Sequence, residues 1–221
     1  MKHFYLFILV LILTGWLAVL PCLAAPQKVD ELYRNFLKSE EWKSFFPKGE
    51  GNLGAALVDE YQIEQYKIFD IDNDGNLELW FCASMNDGSV GIRGKDCVSA
   101  VAVYHNGKIQ KLLTAEMSSG SIGGSLIQIA YDLKNKEHCF FISNSTGGDG
   151  NSHSRNDYYT IKNGSADCFL RTYSCTNLNT DKTIYEINDK SVDEKMYNET
   201  LKRFSEPLKP SFILDYYKSN S

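Results

Sequence analysis

The stretch "YKIFDIDNDGNLELWF", Tyr66 to Phe81, sets Asp70, Asp72, Asp74 and Glu78 around one glycine and between two apolar runs. Its flanks decide the fold. An EF-hand needs a helix on each side of the loop and a bidentate glutamate at the twelfth loop position. Counted from Asp70, that position is Phe81, which has no ligating oxygen. Leu77, Leu79 and Phe81 alternate with Glu78, Trp80 and Cys82, which is the period of a strand. The segment therefore reads as a β-hairpin whose turn carries an EF-hand-like first half, closed by Glu78.

The chemistry of that turn points to a cation. Calcium is a hard ion that takes about six to eight oxygen ligands. A tight loop supplies that many only if alternating residues converge. Asp70, Asp72 and Asp74 alternate, Gly75 permits the sharp turn, and the Asn76 carbonyl adds an uncharged ligand before Glu78. Carboxylates so close together, without an ion, repel one another and raise their own pKa values. The bland reading is a solvated acidic turn, because Asp and Asn favour turns for local reasons. Three aspartates in strict alternation, followed by Gly and Glu, favour the ion. The expected ligands are Asp70, Asp72, Asp74, Asn76 and Glu78, and the expected ion is Ca2+.

Outward from the hairpin, short alternating runs are broken by turn residues. The spacing predicts strands over 63–71, 76–84, 98–105, 108–115, 124–132, 138–144, 157–162, 166–174 and 182–188. "YHNGKI" from Tyr104 and "IKNGSA" from Ile161 each place Asn-Gly between apolar residues, the strongest short hairpin signal. Tight turns between consecutive strands imply an antiparallel meander, as a sheet or as a partial barrel or propeller-like form.

Helices are expected at both ends. Residues 29–46 carry Leu32, Tyr33, Phe36 and Leu37 at helical spacing, with Asp30 as the N-cap. "SVDEKMYNETLKRF" offers Ser191 and Glu194 as a capping box and aligns Val192, Met196, Tyr197, Leu201 and Phe204 on one side. The fold class is α+β, mainly antiparallel β.

"YKIFDIDNDGNLELWF" resembles the Y-x-L-x-D-x-D-x-D-G-x-x-E-L signature of exported bacterial proteins of poorly defined function. It is also similar to the calcium-binding hairpin loops of FG-GAP-type repeats. "AVYHNGKIQKL" resembles the hairpin that follows in such proteins, and "YEINDKSVDEKMYNETLKRF" their closing strand and helix. The likeness spans roughly Tyr61 to Phe204, and only the acidic loop is a specific motif. It implies calcium at Asp70, Asp72, Asp74 and Glu78, and no catalytic residues. Leu77 stands where many relatives have proline, which touches no ligand.

Export is expected from the N-terminus. Lys2 and His3 precede the apolar run Phe4 to Leu20, and "PCLAAP" follows, the layout of a secretory signal peptide cleaved after Ala24. The rival is an uncleaved membrane anchor, since the run approaches the roughly 20 residues that span a bilayer. A lipidated Cys22 would follow an unsuitable Pro21. The expected organisation is a signal peptide at 1–24, a helical segment at 25–60, a β domain at 61–190 with its calcium loop at 70–78, and a helix and tail at 191–221. The expected location is secreted or extracytoplasmic, in the periplasm or at the cell surface.

Composition narrows the partners. The net charge is −5, and no basic cluster stands out. Nucleic acid and anionic membranes, which require concentrated Lys and Arg, are not expected. A membrane contact is expected only through an uncleaved signal segment. His105, His138 and His153 lack ligand spacing, and no C-x-x-C exists, so neither a zinc site nor a redox motif is expected. Cys82, Cys97, Cys139, Cys168 and Cys175 would remain after cleavage, where disulfides persist. Two bridges and one free thiol are expected. Spacing does not choose the pairing, and Cys82 with Cys139 is one candidate, both lying in apolar strands.

Two polar stretches complete the reading. "SSGSIGGS" from Ser118 lacks the Gly-Lys-Ser/Thr ending of a phosphate loop and reads as a bulge. "NSTGGDGNSHSRND", Asn144 to Asp157, reads as the longest polar loop and holds Asp149, Ser152, His153 and Asp157. A calcium-stabilised binding or structural module, with an unknown protein or glycan as partner, is the leading expectation. A secreted hydrolase of cell-wall or environmental polymers, with its site near 144–157, is the alternative.

Overall fold

The structure, a computed structural model, describes residues 26–46, 58–85, 97–117, 126–162 and 164–205. Among the described residues, ten strands form two antiparallel sheets, and each strand pairs only with its sequence neighbours. The first sheet holds β1 (Tyr61–Phe69), β2 (Glu78–Met85), β3 (Cys97–His105) and β4 (Lys108–Met117). The second runs β5 (Ile127–Asp132), β6 (Glu137–Gly148), β7 (Asn151–Lys162), β8 (Ser165–Asn177), β9 (Lys182–Ile187) and β10 (Lys190–Val192). Helix α1 (Pro26–Lys38) precedes the sheets and α2 (Glu194–Leu201) follows them. The architecture is α+β and mainly an antiparallel meander, split into two open sheets.

The core has three layers. Strands β2 and β3 are buried on both faces, which is why "LWFCAS" and "VSAVAV" read as nearly continuous apolar runs. One face presents Leu79, Phe81, Ala83, Val98 and Ala100 to Tyr33, Phe36, Trp42 and Phe46 of the N-terminal segment. Phe81 is fully buried there, with the Trp42 ring 5.6 Å away edge-on. The other face presents Trp80, Cys82, Cys97 and Val101 to Ile127, Ile129, Phe140 and Ile161 of the second sheet. Two polar contacts fix that packing. Trp80 Nε1–H donates to the Ile127 carbonyl at 2.8 Å, and the Ile127 N–H donates to Ser99 Oγ at 2.8 Å.

The outer face of the second sheet is closed by the chain after α2. Phe204 stacks on Tyr158 at 3.9 Å, beside Phe141, Leu170 and Phe169. Arg203 reaches the buried Asp132 carboxylate, its Nε–H 2.7 Å from Oδ1.

The boundaries correct several expectations. Helix α1 starts at Pro26, whose fixed φ and missing N–H suit a first helical position. Asp30 is therefore inside the helix and pairs with Arg34 one turn on, at 2.7 Å. The helix ends at Lys38, and left-handed Glu40 (φ 63°) redirects the chain into a separate 3-10 turn, Glu41–Phe45. Ser191 lies in β10, and the N-cap of α2 is Asp193, which accepts the Met196 N–H at 2.7 Å. Met196 is exposed, and Tyr197 carries the buried contact.

Residues 144–157 are not a loop. They are the ends of β6 and β7, joined by Asp149-Gly150 with φ of 51° and 74°. Both residues accept positive φ, as a two-residue hairpin requires. The flanks are polar because both strands run on past the apolar core, so alternation of apolar residues gives no signal there.

Candidate metal centre

Strand β1 ends at Phe69, which pairs with Glu78 at the start of β2, so the acidic turn is the loop of a hairpin. Its backbone is folded inward on the carboxylates. Asp70 accepts the Asp74 N–H at 3.1 Å and the Gly75 N–H at 2.9 Å through different oxygens. Asp72 accepts the Asp74 N–H at 3.2 Å. Asn73 and Gly75 take positive φ (58° and 89°), which lets the chain reverse within so few residues. Ile71 is buried in the core between the sheets and anchors the loop. At the far side, the Tyr33 hydroxyl donates to the Leu77 carbonyl at 2.6 Å and accepts the Tyr104 N–H at 2.7 Å.

Asp70, Asp72 and Glu78 converge, each with an oxygen within 4.8 Å of the others. Oxygens around one calcium, at about 2.3–2.6 Å each, stand no farther apart than about twice that distance. The set can hold a metal ion. Asp74 stands outside that trio but close to Asp72, its carboxylate accepting the Asn76 N–H at 2.7 Å and Asn76 Nδ2–H at 2.9 Å. Of the five expected ligands, the carboxylates of Asp70, Asp72 and Glu78 are thus brought together, and the Asp74 carboxylate takes the N–H donors of Asn76, whose carbonyl is the atom expected to ligate.

Glu78 stands out electrostatically. It is 1% exposed, and the Ile71 N–H, at 2.9 Å, is one neutral donor for a buried carboxyl. Burial pushes its carboxyl up to about 8, the Ile71 N–H opposes that, and Asp72, Asp74 and Asp70 add to it. Asp72 rises to about 6, first through burial and then through the Asp74 charge. No Lys or Arg pairs with this group among the described residues. The Ile71 amide is the site component that sequence reasoning missed. A residue between two expected ligands signals nothing about where its N–H points.

The residues of 144–157 sort by strand parity. His153 and Asp157 share one face of β7 with Arg155, while Ser152 faces the other way and Asp149 sits at the turn. Asp157 is buried and paired: Arg155 Nε–H and Arg171 Nε–H donate to it at 3.0 and 2.8 Å. His153 Nδ1 lies 2.7 Å from the Tyr173 hydroxyl. Arg171 and Tyr173, from β8, could not be assigned to this group from the sequence, because strand register brings them there.

Among the described residues, Cys82, Cys97, Cys139, Cys168 and Cys175 form no disulfide, against the two bridges expected. The candidate pair Cys82–Cys139 is not bridged. Cys82 lies with Cys97 in the core between the sheets, and Cys139 belongs to the cluster on the outer face of the second sheet. Burial raises the Cys139 thiol to about 12. Among the described residues, no helix is long and apolar enough to cross a membrane. The expected signal segment, and "SSGSIGGS", lie outside the described residues.

No protein-family model, curated protein or solved structure matches this chain.

Proposed function

We propose that the protein is an exported calcium-binding module whose β fold is stabilised by its ion and which serves as a binding or structural domain outside the cytoplasm. One observation carries the reading. Glu78 is a buried carboxylate that faces Asp70 and Asp72 instead of a cationic side chain. A buried carboxyl stays ionised only when it is paired with a cation or fully hydrogen-bonded, and an ion held with Asp70 and Asp72 would supply that partner. An all-oxygen, multiply anionic set suits a hard divalent ion, and a loop with flexible carboxylates suits calcium better than magnesium, which demands a tight octahedron. Export rests on the N-terminal pattern Lys2 to Ala24.

Calorimetric titration of the purified protein with calcium tests the reading. A dissociation constant of about 10⁻⁴–10⁻³ M is expected for an extracellular module. Asp70→Ala should abolish the heat. At millimolar calcium and a constant near 10⁻⁴ M, the fold gains roughly 1–2 kcal/mol. Absence of binding up to ~10 mM, beyond that range, would overturn the assignment. Mass spectrometry of the exported protein should find a chain beginning at Ala25, and an intact Met1 in a membrane fraction would show an anchor instead.

A further inference from the structure

The inner face of the second sheet changes character along its strands. At Phe140↔Tyr159 and Ile142 it belongs to the apolar core, and from Asn144↔Arg155 onward it is polar. There β6, β7 and β8 line an open cavity of about 680 Å³ with Asn144, Thr146, His153, Arg155, Asp157 and Tyr173. That size is ordinary for a small-molecule site.

The charges in this cavity are already balanced. Of its lining residues, Arg155 pairs with Asp157, and Arg171, which also closes on Asp157, has Asp189 3.6 Å away. An anionic or cationic ligand would meet no uncompensated partner. What remains is a dense set of neutral or internally paired hydrogen-bonding groups. Asp157 and Arg155 lock each other in place, so the guanidinium is held without further ordering cost on binding. Arg155 keeps a side chain 44% exposed, with donors to spare beyond the Asp157 pair. Asn144 and Thr146 each offer both a donor and an acceptor. Beside them the His153 and Tyr173 rings lie nearly parallel, 6.0 Å apart at 29°. The hydrogen bond between them fixes the pair as a plate.

We infer that this cavity binds a neutral saccharide. A pyranose presents vicinal hydroxyls that donate and accept at once, which planar Asn and Arg side chains match two at a time. It also presents an apolar C–H face, which an aromatic plate covers. A phosphate or uronate gains little from its charge, because the Arg155 guanidinium it would meet is already neutralised by Asp157. This inference goes beyond the calcium reading and does not rest on it, since the cavity contains none of the acidic turn.

The test is a glycan array carrying neutral and acidic saccharides, probed with the full exported chain in calcium and again in chelator. Hits are followed by titration calorimetry with the free oligosaccharide. At least one neutral glycan should bind. Asn144→Ala and, separately, Tyr173→Ala should weaken it about tenfold or more. Asn144→Ala touches neither guanidinium pair, so its melting temperature should stay that of the wild type, and Thr146→Ala provides a second variant of the same kind. Chelation should leave the affinity of folded protein unchanged, which separates this site from the calcium reading. No hit among neutral glycans, binding confined to acidic ones, or binding indifferent to all three variants would each overturn the inference.

Discussion

Glu78 and Asp157 are both carboxylates almost closed to water, at 1% and 5% exposure, and they occupy opposite kinds of environment. Asp157 has two guanidiniums on it. Glu78 has one amide and a neighbourhood of further carboxylates. Asp132, at 2%, belongs with Asp157, since Arg203 and two backbone amides hold it. Burial of an acid therefore does not mark a metal site. The marker is burial without a resident cation, and among these three it singles out Glu78.

The contrast breaks or sharpens under one kind of change, the removal of charge or partner at each acid. The largest effect is expected at Asp132. Arg203→Ala strands a buried carboxylate and should cost about 3–5 kcal/mol in urea unfolding. The same pair sets an acid limb. Burial pushes the Asp132 carboxyl up, but Arg203 and the Lys134 and Asn135 amides outweigh it and leave the pKa below its ordinary value. Its contribution is thus fully present above the unfolded pKa, and is lost as pH falls through the lower folded value. Arg203→Ala should flatten the stability curve across that acidic window. An unchanged curve would mean that other groups set it.

Asp157→Asn comes next, at about 2–3 kcal/mol, because two charge-assisted bonds become weaker neutral ones. Gly75→Ala should cost about 1–2 kcal/mol. An added Cβ at Gly75 meets nothing within 4 Å, so the loss comes from its φ of 89° and not from a clash. The smallest effect has the opposite sign. In chelator, Glu78→Gln should stabilise the fold by about 1 kcal/mol or less, since it spares the fold the cost of holding protonated, or burying as a charge, a carboxyl raised to about 8, and it should also remove the calcium response. Destabilisation in chelator would show that Glu78 is satisfied as it stands, and the contrast with Asp157 would fail.

Much of this was readable from the chain, for local reasons. Asn106-Gly107 announces its hairpin because both residues take positive φ, 52° and 81°. Leu77 to Cys82 declares a strand by period, and that excluded the EF-hand helix. Asp70, Asp72 and Glu78 were legible because the ligands of a turn are neighbours in sequence. What failed to show was non-local or lacked an apolar alternation. Asp149-Gly150 is as strong a turn as Asn106-Gly107, but its strands carry polar residues on both faces. The Asn188-Asp189 turn, with φ of 48° and 62°, has no glycine to betray it. Capping failed because Ser191 and Asp193 both qualify by type, and the β9–β10 pairing takes the first. The split into two sheets depends on Trp80 meeting Ile127, across 47 positions.

Strand pairing only between sequence neighbours also has a kinetic meaning. Every ladder here closes over a short stretch of chain, so the entropy of loop closure is met in small instalments and each meander can zip from its turns. The N-terminal helix cannot join in that way. Tyr33 reaches Leu77 and Tyr104 across 44 and 71 positions, so its docking waits for a sheet to exist. Contacts made after the rate-limiting barrier govern how fast a protein comes apart more than how fast it forms. Tyr33→Phe, which keeps the ring and deletes the hydroxyl, should leave the folding limb of the chevron in place and raise the unfolding limb. The helix would then act as a brake on escape from the native state, and the acidic turn it holds would open only when that brake lets go.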